Sequence, residues 1–349
     1  MTTTRVGVIG AGSIAADAHI PFLLNIPHVT IAAIADLQRK RAEEVAAQFN
    51  IPSFYRDAVE MLESEKLDGV FICTSNHSHI PLALEAAKRG VHVFIEKPIG
   101  VSLLEVEHYL QVAKTNHVLT MVGMTHRFRR DVQIAKELIE RGDLGDIYHV
   151  NARFLRRRGT PKGWFTQHAL SGGGAMMDTG VHVLDLAWYL LGEPKPLSVS
   201  ASSQKGVGDY KTRYNTSWSS SEKDQSHLFD VEDFTSAYIR FHNKANVNIQ
   251  VSWAVNGPQD EDIVLELFGT KGGLQLTPLT LFKEENHLFV ETKPTYEKNI
   301  PFADELQHFI SCIRTNEPPL ISGTQGLAVL KMIQAIYESS RTSSEQVMK

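Results

Sequence analysis

The chain has 349 residues, 42% hydrophobic and 21% charged, enough apolar material for packed cores in about two domains and too much for global disorder. Its net charge of −5, from 35 basic and 40 acidic residues, excludes the basic face of a nucleic-acid binder, and Arg156-Arg157-Arg158 reads as a solvated loop. The two cysteines, Cys73 and Cys312, support neither a disulfide framework nor a paired-thiol zinc site; with no leader pattern and no long apolar run, a cytoplasmic protein without a membrane span is expected.

The first third alternates between two patterns. Short β-branched or aromatic runs at Arg5–Ile9, Val29–Asp36, Asp68–Ser75, His92–Glu96 and Val118–Gly123 read as strands buried on both faces. Helical patterns fill the gaps at Ile14–Leu24, Arg39–Phe49, Ala58–Glu63, Ile80–Arg89 and Leu103–Asn116. This alternation predicts an α/β domain over residues 1–125 with a parallel sheet and right-handed crossovers.

The first strand runs directly into Gly10-Ala11-Gly12-Ser13-Ile14-Ala15, a G-x-G-x-x-A loop. Gly10 permits a tight turn, Gly12 lets a pyrophosphate approach the backbone, and small Ala15 allows close helix–strand packing. The following helix N-terminus offers free N–H groups at Ser13 and Ile14. Asp36 closes the second strand, where an acid about 20 residues on suits the ribose hydroxyls of NAD. The loop, its place at the first βα turn and the acid together predict dinucleotide binding. NAD is favoured over NADP because Asp36 repels a 2′-phosphate, although Arg39, Lys40 and Arg41 are close enough to accept one.

Two more strand ends carry polar residues. Thr74-Ser75-Asn76-His77-Ser78-His79 follows the third strand, where ligands bind in such sheets. A helix cap at Ser75 or Asn76, with a histidine near the cofactor, is favoured there over a metal site. Glu96-Lys97-Pro98 follows the fourth strand; charge directly after an apolar run is costly unless it is paired or used. A cis bond before Pro98 would suit the turn.

Beyond about residue 125 a helical stripe of Phe128, Val132, Ala135, Leu138 and Ile139 gives way to strand patterns. These lie at Ile147–Leu155, Leu197–Ser202, Asp233–Phe241, Asn246–Val255, Asp262–Phe268 and Gly272–Leu276, with hairpin turns at residues 242–246 and 269–272. Helices at Phe302–Thr315 and Gln325–Ser340 close the chain, and Ser219–Gln225 reads as a surface loop. A second, α+β domain with a mostly antiparallel sheet is expected over residues 126–349, its last helix packing back on the first domain.

Within it, residues 172–192 hold no Lys, Arg or Glu. A helix through 176–191 would place Asp178, His182, Asp185 and Tyr189 on one face. An ordinary solvent face would carry Lys and Glu, so this stripe is expected to be buried or to face a cleft. Gly180 inside the helix costs about 1 kcal/mol against Ala and implies a close approach. A structural network and a metal site are the alternatives to an acid/base pair in which His182 takes a proton and Asp178 fixes its tautomer. The pair is favoured, and no metal is expected.

The set Gly10-Ala11-Gly12-Ser13-Ile14-Ala15, Glu96-Lys97-Pro98 and Gly172-Gly173-Gly174-x₃-Asp178-x₃-His182-x₂-Asp185 resembles the Gfo/Idh/MocA family, as does Ile321-Ser322-Gly323-x₂-Gly326. The resemblance implies a Rossmann domain followed by an α+β domain with a large open sheet that commonly builds homodimers or homotetramers. It implies oxidoreduction of sugars, polyols or related cyclic alcohols with NAD(P). Lys97, Asp178 and His182 match the catalytic residues. The cofactor set is Gly10, Gly12, Ser13, Ile14, Asp36, Thr74, Asn76, His79, Glu96, Lys97 and Arg127; Trp164 and His168 join Lys97, Asp178 and His182 as substrate candidates. Relatives often carry Gly-Tyr-Asn-x-Arg-Phe where this chain reads Gly123-Met124-Thr125-His126-Arg127-Phe128, with Thr125 at the usual Asn. Two other readings of the same motifs are a glycoside-cleaving enzyme that retains NAD through a transient C3 oxidation, and a non-catalytic NAD-binding regulator.

Overall fold

The computed structural model describes residues 3–209 and 228–348, and the predicted loop at Ser219–Gln225 lies outside the described residues. Six strands form the first sheet: β1 Thr4–Ile9, β2 Val29–Ala35, β3 Ser53–Tyr55, β4 Gly69–Ile72, β5 His92–Glu96 and β6 Thr120–Gly123. All pair in parallel, in the order β3-β2-β1-β4-β5-β6. The order reverses between β1 and β4, so the loops after these strands flank a crevice at the carboxyl edge. Strand β3 was not expected: three half-buried residues are too short for an apolar-run signal, and pairing with β2 holds them extended.

Among the described residues nine strands build the second sheet: β7 Ile147–Arg156, β8 Pro196–Gln204, β9 Phe234–Phe241, β10 Asn246–Ser252, β11 Glu261–Gly269, β12 Gly272–Leu276, β13 Leu279–Glu285, β14 Leu288–Thr292 and β15 Gln346–Val347. Their order is β14-β13-β12-β11-β7-β10-β9-β8-β15, antiparallel except for the β7–β10 pair. The last three strands were not expected: β13 and β14 carry no simple alternation of buried and exposed residues, and β15 has only two residues.

Alternation along β9 and β10 buries one face of this sheet. Helices Arg130–Glu140, Val181–Leu190 and Gly323–Thr342 cover that face. The last begins in a capping box between Ser322 and Gln325 and also packs on the first sheet, with the Val122 N–H donating to Ile321 O at 3.0 Å. Gly326 permits this docking, since a Cβ there would come 2.8 Å from Val122 Cγ2. Among the described residues no helix is long and apolar enough to cross a membrane.

Candidate active site

The loop after β1 fits a dinucleotide. Gly10 has φ +98°, and a Cβ there would lie 2.6 Å from Cys73 O, so only glycine makes the turn. Gly12, Ser13 and Ile14 are half-exposed and open the helix, leaving its first N–H groups for a phosphate. Ala15 is fully buried against the sheet.

Asp36 is engaged by the protein itself. Its Oδ2 accepts from Ala11 N at 2.9 Å and Arg41 Nε at 3.1 Å. Its Oδ1 accepts from Gln38 N at 2.8 Å and Arg41 Nη2 at 2.9 Å. The carboxylate therefore ties the phosphate loop to the end of β2, and Arg41 is its ionic partner.

Several expected cofactor contacts prove to be braces. Thr74 lies beside Gly10 and accepts from Ser78 Oγ. Asn76 is buried and donates Nδ2 to Ser171 O at 2.7 Å, so its amide clamps the two halves of the chain together. Ser75 precedes the short helical turn but makes no side-chain cap. His79 is fully buried, with its ring nitrogens on Pro98 O at 2.8 Å and Thr74 O at 3.1 Å. The expectation that His79 touches the cofactor is corrected: its ring joins the two strand-end loops. Burial lowers its pKa, consistent with a neutral ring.

Glu96 is likewise turned inward. Its Oε1 lies 2.6 Å from Nε2 of buried His19, and its Oε2 accepts from Lys97 N at 3.1 Å. Glu96 thus braces the turn that presents Lys97. The Lys97–Pro98 bond is cis.

Lys97 reaches across to the second domain. Its Nζ donates to Asp178 Oδ1 at 2.8 Å and to Asp178 O at 3.1 Å. The other carboxylate oxygen, Oδ2, accepts from Trp253 Nε1 at 2.9 Å. Both oxygens of Asp178 are thus occupied, which corrects the expectation that Asp178 fixes the tautomer of His182. Among the described residues, buried His182 Nδ1 has no hydrogen-bond partner. The helix is not uniform either: residues Met176–Gly180 are a π-turn before Val181–Leu190. Burial holds the His182 pKa well below its ordinary value, and the charge of Lys97 adds to this, followed by His126 and Arg156. A neutral imidazole beside an ammonium–carboxylate pair is the arrangement that can take a hydroxyl proton while a cation holds the same oxygen.

The rest of the polar stripe serves packing. Arg127 is fully buried and donates Nε and Nη2 to Asp185 at 2.9 and 2.7 Å, and Nη1 to Glu193 at 2.8 Å. It also lies over the Tyr189 ring, 4.4 Å from the centroid. Burial opposes its charge, but Asp185 and Glu193 outweigh this and raise its pKa. The expectation that Arg127 binds cofactor is corrected: no part of its side chain is accessible.

Thr125, at the unusual position of the sixth-strand motif, points into the core. Its Oγ1 donates to Glu305 Oε2 at 2.7 Å, and Glu305 Oε1 is buried without a partner. Burial, reinforced by the charge of Glu96, pushes the Glu305 pKa up from 4.5 to about 8. The unfolded chain releases this proton near 4.5, so folding takes up a proton between there and about 8, and stability falls as pH rises through that window. The slope is about 1.4 kcal/mol per pH unit. Glu305→Gln removes it, so urea melts should show the variant gaining on the wild type steadily across that window; parallel stability curves would mean Glu305 is already ionised.

Sequence reasoning missed the brackets around Asp178. Glu232 accepts from Gly174 N at 2.8 Å, Met176 N at 2.9 Å and Tyr337 OH at 2.9 Å, which caps the π-turn and anchors the last helix. Gly174 is required, because a Cβ would lie 1.8 Å from Glu232 O. Trp253 is fully buried, and a buried indole N–H needs an acceptor, which is the one sequence-level hint it offered. Trp164 stacks on Phe165 at 3.8 Å, against the small cluster that includes Trp253. His168 does not join them; it is exposed and lines a cleft with Val101, Met177 and Tyr337. The arginine run is tied down, with Arg156 on Glu261 and Arg157 on Asp260, which corrects its reading as a solvated loop.

Comparison with known proteins agrees with this architecture. Residues 4–124 match the model described as "Oxidoreductase family, NAD-binding Rossmann fold", and residues 132–275 match the GFO/IDH/MocA C-terminal domain. The D-glucoside 3-dehydrogenase of Escherichia coli (strain K12) is 30% identical over 97% of this chain and 96% of its own length. The scyllo-inositol 2-dehydrogenase (NAD(+)) of Bacillus subtilis (strain 168) is 28% identical, over 97% of this chain and 94% of its own. A levoglucosan dehydrogenase solved with NADH and levoglucosan shares the fold, with TM-score 0.86, 22% identity and 100% coverage of both chains. With both halves matched and the glycine loop, the Glu96-Lys97-Pro98 turn and the Asp178 helix assembled around one crevice, the chain belongs to the Gfo/Idh/MocA family of NAD-binding oxidoreductases.

Proposed function

We propose that this chain transfers hydride between a nicotinamide coenzyme and a hydroxyl carbon of a sugar, polyol or related cyclic alcohol, with Lys97, Asp178 and His182 at the reacting centre. The Lys97–Asp178 pair carries this reading, because it spans the crevice between the two sheets beside a neutral His182. The nicotinamide, when bound, supplies the hydride acceptor. The Lys97 ammonium has three donors; two reach Asp178, and the third is left for the substrate oxygen. Asp178, itself held by Trp253, keeps that ammonium aimed. His182 takes the hydroxyl proton. The glucoside and inositol dehydrogenases that the chain resembles support this substrate class.

The test is the near-ultraviolet absorbance of reduced coenzyme with NAD or NADP against glucosides, free aldoses and cyclic polyols. Reduced coenzyme accumulating with one class is expected. Protein that binds coenzyme yet reduces none with any alcohol would sink the reading, and glycoside consumed without net reduction would favour the internal C3 redox cycle.

NAD remains the favoured coenzyme, and Asp36 supports this through its negative charge at the end of β2. Arg41 is the group that moderates the choice: released from Asp36, it becomes a donor to a 2′-phosphate. Titration calorimetry of Arg41→Ala should show NADP affinity falling about 10-fold or more and NAD affinity changing about threefold or less, the range of one charged hydrogen bond. Equal losses for both coenzymes would reject this role.

The open face of the second sheet supports assembly. Phe268 and Phe289 are exposed there at 36% and 78%. A homodimer or homotetramer buries this apolar surface. Light scattering should give twice or four times the chain mass, and a monomer at micromolar concentration would refute it.

A further inference from the structure

We infer that His126 orients the imidazole of His182 by stacking on its face, a task that no hydrogen bond performs in this site. The inference rests on the proposed role of His182 as the base. The two rings are nearly coplanar in direction, with centroids 4.7 Å apart and planes inclined by 22°. Among the described residues, buried His182 Nδ1 has no hydrogen-bond partner, and the carboxylate that spacing assigned to it is held by Lys97 and Trp253.

A base on a helix needs its ring plane fixed, because the terminal torsion of histidine is broad. A hydrogen bond to the second ring nitrogen normally does this. Here a flat neighbour restricts the same torsion from the side. His126 is a firm support because both of its chain neighbours are pinned: Thr125 to Glu305, and Arg127 to Asp185 and Glu193. Burial lowers the pKa of His126 to about 4, with Arg129 and Lys97 adding to the shift and Asp131 opposing it. His182 in turn faces Lys97 and Arg156 besides His126. Both rings are therefore neutral at neutral pH, and the stack carries no charge repulsion.

The test compares His126→Phe, His126→Leu and His126→Ala. Leu fills the volume without a flat face, and Ala also admits water. Turnover should fall about 10- to 100-fold for Leu and Ala, the range for a misplaced reacting group, with substrate KM and coenzyme affinity little changed. Phe should restore most of it. Imidazole resonances of His182, recorded on coenzyme-free protein, should be sharp in the wild type and Phe variant and exchange-broadened in the Leu and Ala variants. The His182 titration should move up toward 6.5 furthest in the Ala variant, which admits water as well as removing the His126 ring. A Leu variant with wild-type turnover and a sharp His182 signal overturns the inference. If the wild type oxidises no alcohol, the proposed reaction fails, and the resonances still decide whether His126 orders the ring.

Discussion

Lys97→Ala is expected to lose about 10³-fold in kcat, while coenzyme affinity stays within a few-fold. The size follows from removing a donor aimed at the oxygen where charge develops, worth about 10²–10³, together with support for proton transfer. Geometry separates this from a folding effect. The ammonium is about one-fifth exposed, and among the described residues its hydrogen bonds go only to Asp178. Its removal leaves Glu96 on His19 and Asp178 on Trp253, so the turn and the helix keep their anchors. Isothermal coenzyme titration and single-turnover kinetics on the same preparation check both halves. Activity within tenfold of the wild type would show that Lys97 holds the domains together and does no chemistry.

The largest stability effect is expected at Asp185. Asp185→Ala leaves the Arg127 guanidinium fully buried with only Glu193 for charge compensation. Breaking a buried pair from one side costs about 3–5 kcal/mol, because the remaining charge is uncompensated. Urea denaturation should show this as a lower midpoint with an unchanged slope. The double change Arg127→Met with Asp185→Leu removes both charges and should recover most of the loss. A single variant that loses less than about 1 kcal/mol would mean that water reaches the guanidinium. Asp178 and Asp185 thus share one stripe but differ in kind. The first holds a cation in the crevice; the second neutralises one in the core.

That difference was invisible in the spacing. Residues 178, 182, 185 and 189 do share a helical face in the ideal geometry, and the absence of Lys and Glu rightly marked the face as not ordinary solvent. A π-turn at Met176–Gly180 breaks the ideal period, and the partners come from distant chain: Lys97, Trp253 and Arg127. Gly180 behaved as its position implied, since a Cβ there would lie 2.7 Å from Met176 Sδ and 3.2 Å from Val251 on β10.

By itself the sequence determined the alternating first domain, the strand-dominated second one and the glycine turn at Gly10, while its resemblance to the family pointed to Lys97, Asp178 and His182. These are local signals: apolar period, a backbone conformation only glycine adopts, and residue types at short spacing. Only the tertiary structure decided what each polar side chain does. It tied Asn76, His79, Glu96 and Arg127 to partners within the protein, set His168 on an exposed cleft, placed Trp253 and Glu232 around the Asp178 turn and stacked His126 on His182. The physical reason is that a buried polar group must find a partner, and which partner depends on segments that meet only when the two sheets pack. Local sequence shows that a charge or hydrogen bond must be satisfied there; the fold selects the residue that satisfies it.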